Sequence, residues 1–180
     1  FNPDIASKEA TWLTAILKSY LLLSDWLRSV MVIDTTRRLV AFADPFPLAY
    51  VDLVSAEDYW PECSVLIDDY LDFNPTRNRE LDLLPLFAWL DPDRVQARLS
   101  DERIKPRPAL HYRLPDAHLG VQGWTLILEW NRWVVVERLA QNRELLRAMG
   151  AAYRENRSRL LPEDWAMRSS EWLVLGTRQG

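Results

Sequence analysis

Apolar residues recur at helical spacing near the start of the chain, after an extended segment over residues 1–5. From Ser7, which is placed to cap a helix, to about Val30, this spacing predicts one long helix. Leu21 and Leu22 widen its apolar stripe, so we expect the helix to be buried on more than one side. The stripe consists of Trp12, Leu13, Ile16, Leu17, Tyr20, Leu23 and Leu27.

The middle of the chain shows three shorter helical patterns. One covers about residues 64–71. The second begins at Asn-Pro-Thr-Arg (residues 74–77), which is typical of a helix start, and its Leu81, Leu84 and Phe87 face inward. We expect Pro85 to kink this second helix. The third begins at Asp-Pro-Asp (residues 91–93) and runs to about Leu99.

The C-terminal part is predicted to be one long helix from about Thr125 to Arg159, with Gly150 as a possible interruption. Trp130 and Trp133 are predicted to lie in the core, because aromatic rings bury large areas. From Leu161 onward we expect a C-terminal tail. His118 is expected to face solvent in a loop.

Residues 103–116, RIKPRPALHYRLPD, alternate with a period of two, which is typical of a strand. The even positions Pro108, Leu110, Tyr112 and Leu114 would face the core. The odd positions carry Arg107, His111 and Arg113, and Arg103 and Lys105 add further positive charge. Such a strand can direct guanidinium groups at a phosphate or carboxylate. The alternative, about equally good on spacing alone, is a solvated edge strand whose charges prevent aggregation.

Arg77 lies on the inward face of the predicted helix, one turn before Leu81. It is therefore either a pocket residue or the ion-pair partner of a buried acid such as Asp82. Asn78 and Asp82 are four residues apart and could bond each other.

Composition narrows the function classes. The 180 residues are 48% hydrophobic, enough for one sizeable domain, and the net charge of −4 disfavours nucleic acid as a partner. No apolar run approaches the ~20 residues of a membrane span. Cys63 is the single cysteine, which fits a reducing cytoplasm. Eight acids and no base lie between Arg38 and Arg77; such a run is usually a solvated surface, and a metal or amine site is the minority interpretation.

Three blocks together resemble a known family: residues 74–85 (NPTRNRELDLLP), residues 103–116, and residues 129–133 (EWNRW). Asn2-Pro3 and the Asp-Pro-Phe-Pro segment at residues 44–47 fit as well. The chain resembles the C-terminal part of the bacterial amidoligase family, in the glutamine synthetase-like carboxylate–amine ligase superfamily. The resemblance covers about residues 1–147. We expect residues 1–160 to be the C-terminal portion of the catalytic domain and residues 161–180 a tail.

The resemblance implies an ATP-dependent ligase that joins a carboxylate, on a small molecule or peptide, to an amine through an acyl-phosphate. It also implies Mg²⁺ on the phosphates and a possible glutamine amidotransferase-like partner. The implied fold is α+β and helix-dominated, with a few strands completing an antiparallel sheet that begins before Phe1. The carboxylates that hold the metals would also lie before Phe1, and we assign no metal ligand on this chain.

Within the resemblance, three residues are the candidates for catalysis. Arg113 would meet the γ-phosphate or the substrate carboxylate, and Arg107 the nucleotide or a second anion. His111 stands where glutamine synthetases carry a metal-binding glutamate; since hard cations prefer oxygen ligands, it would orient a phosphate or act as general base for the amine. Replacing Arg113 by alanine is expected to abolish ligation with little loss of fold.

Four further residues are candidates for substrate or nucleotide binding: Arg77, Asn78, Lys105 and Glu129. For Glu129 a structural ion pair with Arg132, three residues on, is the simpler interpretation. The rival function is a non-catalytic, mainly helical interaction domain whose cationic strand binds an acidic partner. An enzyme should gather Arg77, Arg107 and Arg113 in one concave pocket, whereas an interaction domain would spread them over a flat face.

Overall fold

The computed structural model describes residues 1–31, 43–115 and 120–176. This part of the chain contains eight helices and two short strands, so the fold is α+β and helix-dominated, as the sequence predicts. In chain order the elements are α1 (Ala10–Val30), α2 (Leu48–Val54), α3 (Cys63–Phe73), β1 (Leu81–Asp82), α4 (Leu84–Leu90), α5 (Pro92–Arg98), β2 (His111–Tyr112), α6 (Leu126–Gln141), α7 (Arg143–Ser158) and α8 (Trp165–Gly176).

The chain divides into two compact units. The first comprises Phe1–Leu13, Ile33–Tyr50 and Trp60–Asp116, and the second comprises Thr14–Val32, Val51–Tyr59 and Ala117–Gly180. Within the described residues, we find no helix with the length and apolar character that crossing a lipid bilayer requires. The predicted loop position of His118 lies outside the described residues.

An antiparallel sheet organises the first unit. In the pair β1–β2, Leu81 lies opposite Tyr112 and Asp82 opposite His111. The extended N-terminal segment bonds to the other edge of β2, where Leu110 N donates to Pro3 O (2.9 Å) and Tyr112 N to Phe1 O (3.0 Å). Residues 108–112 therefore bond to the N-terminal segment on one edge, and residues 111–114 pair or bond with residues 80–82 on the other.

The predicted strand over residues 103–116 is shorter than expected. It is regular only at His111 and Tyr112, with an isolated bridge at Ala109. Prolines 106 and 108 lack the N–H that a ladder needs, so pairing cannot extend further toward Arg103. Pro108 is exposed, against the prediction, whereas Leu110, Tyr112 and Leu114 are buried, as the alternation predicts.

The helix predicted to start at residues 74–77 does not form there. Residues 74–80 form turns, and α4 begins only at Leu84. Pro85 consequently occupies the first turn of α4, where a missing N–H breaks no hydrogen bond, and the predicted kink is wrong. Leu84 and Phe87 are buried, as predicted, but Leu81 belongs to β1.

Helices α3 and α5 confirm their predictions within one or two residues. Arg94 of α5 pairs with Asp68 of α3 (2.6 Å) and with Asp91 (2.9 Å), whose side chain also caps α5. Arg98 pairs with Asp72. Part of the acidic run is thus neutralised by arginines of α5, which agrees with a structural role for it.

Helix α1 provides the core of the second unit. Every side chain from Thr14 to Leu23 is buried, which confirms that the helix is enclosed on more than one side. The ring of Tyr20 lies 6.5 Å from that of Trp133 on α6, and Trp165 Nε1 donates to Leu22 O (2.8 Å). Helix α8, which contains Trp165, forms where the sequence analysis expected only a tail.

The predicted long C-terminal helix is two helices, and the break lies at Asn142 rather than Gly150. The Asn142 side chain accepts a hydrogen bond from Leu145 N (3.0 Å) and so caps α7. Gly150 lies inside α7, where a Cβ would meet Ser55 O at 3.2 Å. Trp133 is 1% exposed, as predicted, but Trp130 is 47% exposed, against the prediction.

Candidate active site

The buried carboxylate of Asp82 organises a polar cluster in the first unit. Its Oδ1 accepts from Leu84 N (3.0 Å) and its Oδ2 from Arg113 Nη2 (3.0 Å). His111 Nδ1 lies 3.6 Å from the same Oδ2, within ion-pair range but longer than a hydrogen bond. Because His111 is opposite Asp82 in the sheet and Arg113 is two residues further, all three occupy one face. The period of two predicted that His111 and Arg113 lie on the same face of the strand.

The members of the cluster differ in their exposure to solvent. Asp82 is fully buried and the Arg113 side chain is only 7% exposed, so they form a buried ion pair, whereas the His111 side chain is 27% exposed. Burial raises the pKa of the Tyr70 phenol, and the charge of Asp82 raises that pKa further, so Tyr70 stays protonated. Its hydroxyl accepts from Leu83 N (3.2 Å) beside the cluster. His111 is therefore the member of the cluster with the solvent access that proton exchange requires.

Arg107 and Arg77 have partners of their own in the first unit. Arg107 Nη2 donates to Asn2 Oδ1 (3.1 Å), and this bond connects the cationic segment, residues 103–113, to the N-terminal segment. Arg77 Nη1 lies 4.0 Å from Asp101 Oδ2 rather than beside Asp82, so its ion-pair partner differs from the acid the sequence analysis considered. The convergence of three guanidinium groups on one hollow stays a prediction.

A cavity of about 620 Å³ lies in the first unit, lined by residues between Ala88 and Pro106. Ala88, Val95, Leu99 and Ile104 give it apolar walls, and Asp101 and Lys105 contribute charge. Hydrogen bonds from the side chain and backbone of Arg103 lower the pKa of Asp101 to about 2, so this carboxylate remains ionised. Lys105 is exposed and can reach a ligand here.

Asn78 acts through its backbone: its carbonyl accepts from Asp44 N (2.7 Å), and its own N–H donates to Thr76 Oγ1 (3.2 Å). It holds the turn over residues 74–80. Asp82 accepts hydrogen bonds from Leu84 and Arg113, and not from Asn78 as the sequence suggested.

Glu129 lies in the second unit, in the first turn of α6, and is 2% exposed. Its Oε1 accepts from Arg132 Nη1 (2.5 Å) and from Trp124 Nε1 (3.1 Å). The predicted i, i+3 pair with Arg132 is confirmed.

Sequence reasoning undervalued two buried charged residues. Asp82 is an acid inside the apolar run Leu81–Leu84, and such an acid needs a dedicated cation when it is buried. Lys18 interrupts the apolar pattern of α1; it is 4% exposed, and Nζ donates to Ala56 O (2.5 Å). Burial, with a smaller contribution from the charge of Arg143, lowers the pKa of Lys18 to about 8.

Across residues 1–31, 43–115 and 120–176, no three His, Cys, Asp or Glu side chains are grouped so as to hold a metal ion.

Residues 1–135 match the family model described as "Putative amidoligase enzyme". No curated protein and no solved structure matches the chain. The matched range includes Asp82, His111, Arg113 and Glu129.

Proposed function

The chain belongs to this amidoligase family, and we propose that it forms amide bonds between a carboxylate and an amine at the expense of ATP, through an acyl-phosphate. The observation that carries the proposal is the Asp82 cluster, which lies inside the matched residues. It joins a half-buried histidine to a buried ion pair on adjacent strands. Such an arrangement is suited to moving a proton.

In the proposed reaction the substrate carboxylate attacks the γ-phosphoryl group of ATP, forming a carboxyl–phosphate bond and releasing ADP. The amine nitrogen then attacks the acyl carbon; the C–N bond forms, the C–O bond to phosphate breaks, and inorganic phosphate leaves. The nitrogen loses a proton in this step. His111 is placed to accept it, and the Asp82 carboxylate, 3.6 Å away, stabilises the imidazolium that results.

The side chains proposed to bind the phosphate or carboxylate are Lys105 and Arg107, which are more exposed than Arg113. Lys105 is exposed at the 620 Å³ cavity, and Arg107 is partly exposed while held by Asn2. Both can donate to a phosphate or a carboxylate. Arg113 then acts as a positioning residue that fixes the Asp82 carboxylate. Mg²⁺ would neutralise charge on the ATP phosphates when bound, and we assign none of the described residues as its ligand.

The reaction is tested by hydroxamate formation with hydroxylamine as a surrogate amine. The purified protein is supplied with ATP and a panel of amino acids and dicarboxylic acids labelled with ¹⁸O in their carboxylates. An acyl-phosphate requires one ¹⁸O to appear in the released phosphate. Hydroxamate formed without ¹⁸O in the released phosphate would contradict this route.

His111→Gln tests the proposed base, and His118→Gln is the same change at the other histidine of the chain. We expect the first variant to lower kcat/KM by about 10²–10⁴-fold. The second should retain the wild-type kcat/KM. An unchanged kcat/KM in His111→Gln would remove His111 from the mechanism.

The alternative, an interaction domain that binds an acidic partner through its cationic segment, has less support. Arg103 pairs with Asp101 (2.7 Å) and Arg113 with Asp82 (3.0 Å), so two of the cations that such a surface would use already contact acids of the same unit.

A further inference from the structure

A second cavity, of about 230 Å³, lies within the second unit at the start of α6. Its walls include Val30, Val121, Trp124, Leu128, Glu129 and Arg132. Among the lining residues that the structure describes, most are apolar or aromatic, and the charged ones are Glu129 and Arg132. The composition is that of a small-molecule site with an apolar body and few polar groups.

Glu129 brings an unused acceptor to this cavity. Its Oε1 takes both hydrogen bonds described above, but Oε2 is buried and has no hydrogen-bond partner among the described residues. A buried charged oxygen without a donor is costly, and native proteins rarely keep one without a reason. A donor from a ligand would satisfy it.

Arg132 is already committed to the protein. Its Nη1 donates to Glu129 Oε1 (2.5 Å), and its Nη2 donates to Val30 O (2.5 Å). Within the Glu129–Arg132 pair the guanidinium is therefore held by two acceptors, whereas Oε2 of the carboxylate has no donor among the described residues. This arrangement favours a ligand head group that donates hydrogen bonds and carries positive charge, and it disfavours a carboxylate or phosphate.

We propose that this cavity binds a primary ammonium group attached to a short apolar chain. The ammonium donates to Glu129 Oε2, and the chain packs on Val30, Val121 and Leu128 beside the Trp124 ring, which can also attract the cation. The site lies within the second unit, and it stands independently of the ligase chemistry.

The hydrogen bond from Trp124 Nε1 to Glu129 supplies a local readout. In ¹H–¹⁵N spectra, the Trp124 indole resonance is assigned by its loss in Trp124→Phe and is followed while the wild-type protein is titrated. The probes are n-butylammonium, n-butanol and butanoate, which differ only in the head group. We expect a saturable shift with butylammonium and a dissociation constant about tenfold lower than for either other probe. Equal or tighter binding of butanoate, or no saturable shift with butylammonium, would overturn the proposal.

Glu129→Gln removes the charge but keeps the shape, and Glu137→Gln is its matched control. Glu137 accepts from Trp133 Nε1 (2.7 Å) on the same helix, and it does not line the cavity. We expect the first variant to weaken butylammonium binding about tenfold or more and the second to leave it within about twofold. Unchanged binding in Glu129→Gln would refute the site. If that variant fails to fold, the comparison of three probes on the wild-type protein still decides.

Discussion

Replacing Arg113 by methionine removes the guanidinium that faces the fully buried carboxylate of Asp82 while keeping most of the side-chain volume. The two side chains are 7% and 0% exposed, and their charged atoms lie 3.0 Å apart. Breaking a buried pair from one side typically costs about 3–5 kcal/mol, because it leaves a buried charge without compensation. Leu84 N still donates to Asp82 Oδ1, so we expect the lower part of that range, about 3 kcal/mol.

Urea denaturation followed by circular dichroism measures this loss as a lower midpoint at constant slope. The double variant Asp82→Asn/Arg113→Met tests its origin. If the pair is the cause, the loss in the double variant is smaller than the sum of the two single losses by about 2 kcal/mol. Arg94→Met is the control for arginine removal: its side chain is 34% exposed in its two ion pairs, so its midpoint should shift much less.

A loss below about 1 kcal/mol in Arg113→Met would refute the buried-pair reasoning. The structure thus changes the earlier expectation that Arg113→Ala would spare the fold. It also means that lost ligation in an Arg113 variant does not by itself identify a catalytic arginine, and His111→Gln is the sharper test of mechanism.

Three further outcomes follow from the fold. Between about pH 8 and 10.5 the Lys18 amine is neutral in the folded protein and protonated in the unfolded chain, so stability should rise with pH across this window. In Lys18→Met that rise should disappear from urea midpoints, and its persistence would exclude Lys18 as the cause. Asn142→Ala should lower the free energy of unfolding by about 1 kcal/mol, because α7 loses its cap. Asn142→Asp should keep most of the stability that the cap provides. Trp133→Ala should lower stability by about 3–5 kcal/mol, whereas Trp130→Ala should shift the thermal midpoint only slightly; equal shifts would contradict their burial.

Local patterns predicted the helices whose signals agree with their packing. Helix α3 has a short apolar stripe and α5 has an aspartate cap, so their limits could be predicted closely. The start of α4 could not, because the Asn-Pro-Thr-Arg segment has the composition of both a helix start and a turn. The residues that follow enter the sheet instead, because Leu81 pairs with Tyr112.

The candidate site was predictable in part for the same reason. Alternation placed His111 and Arg113 on one face, but their shared partner comes from a strand about thirty residues earlier, and only the sheet register identifies Asp82. Trp130 shows the converse error: its size suggested the core, yet whether a helical position faces inward depends on neighbours that the spacing does not reveal.

The hydrogen bonds that join the N-terminal segment to residues 108–112 set an order of events during protein synthesis. Pro3 and Ile5 leave the ribosome more than a hundred residues before Leu110 and Pro108, to which they bond. At bacterial or eukaryotic elongation rates this interval is roughly 5–20 seconds. The N-terminal segment is therefore made long before its partners, and the sheet can close only after the cationic segment has emerged.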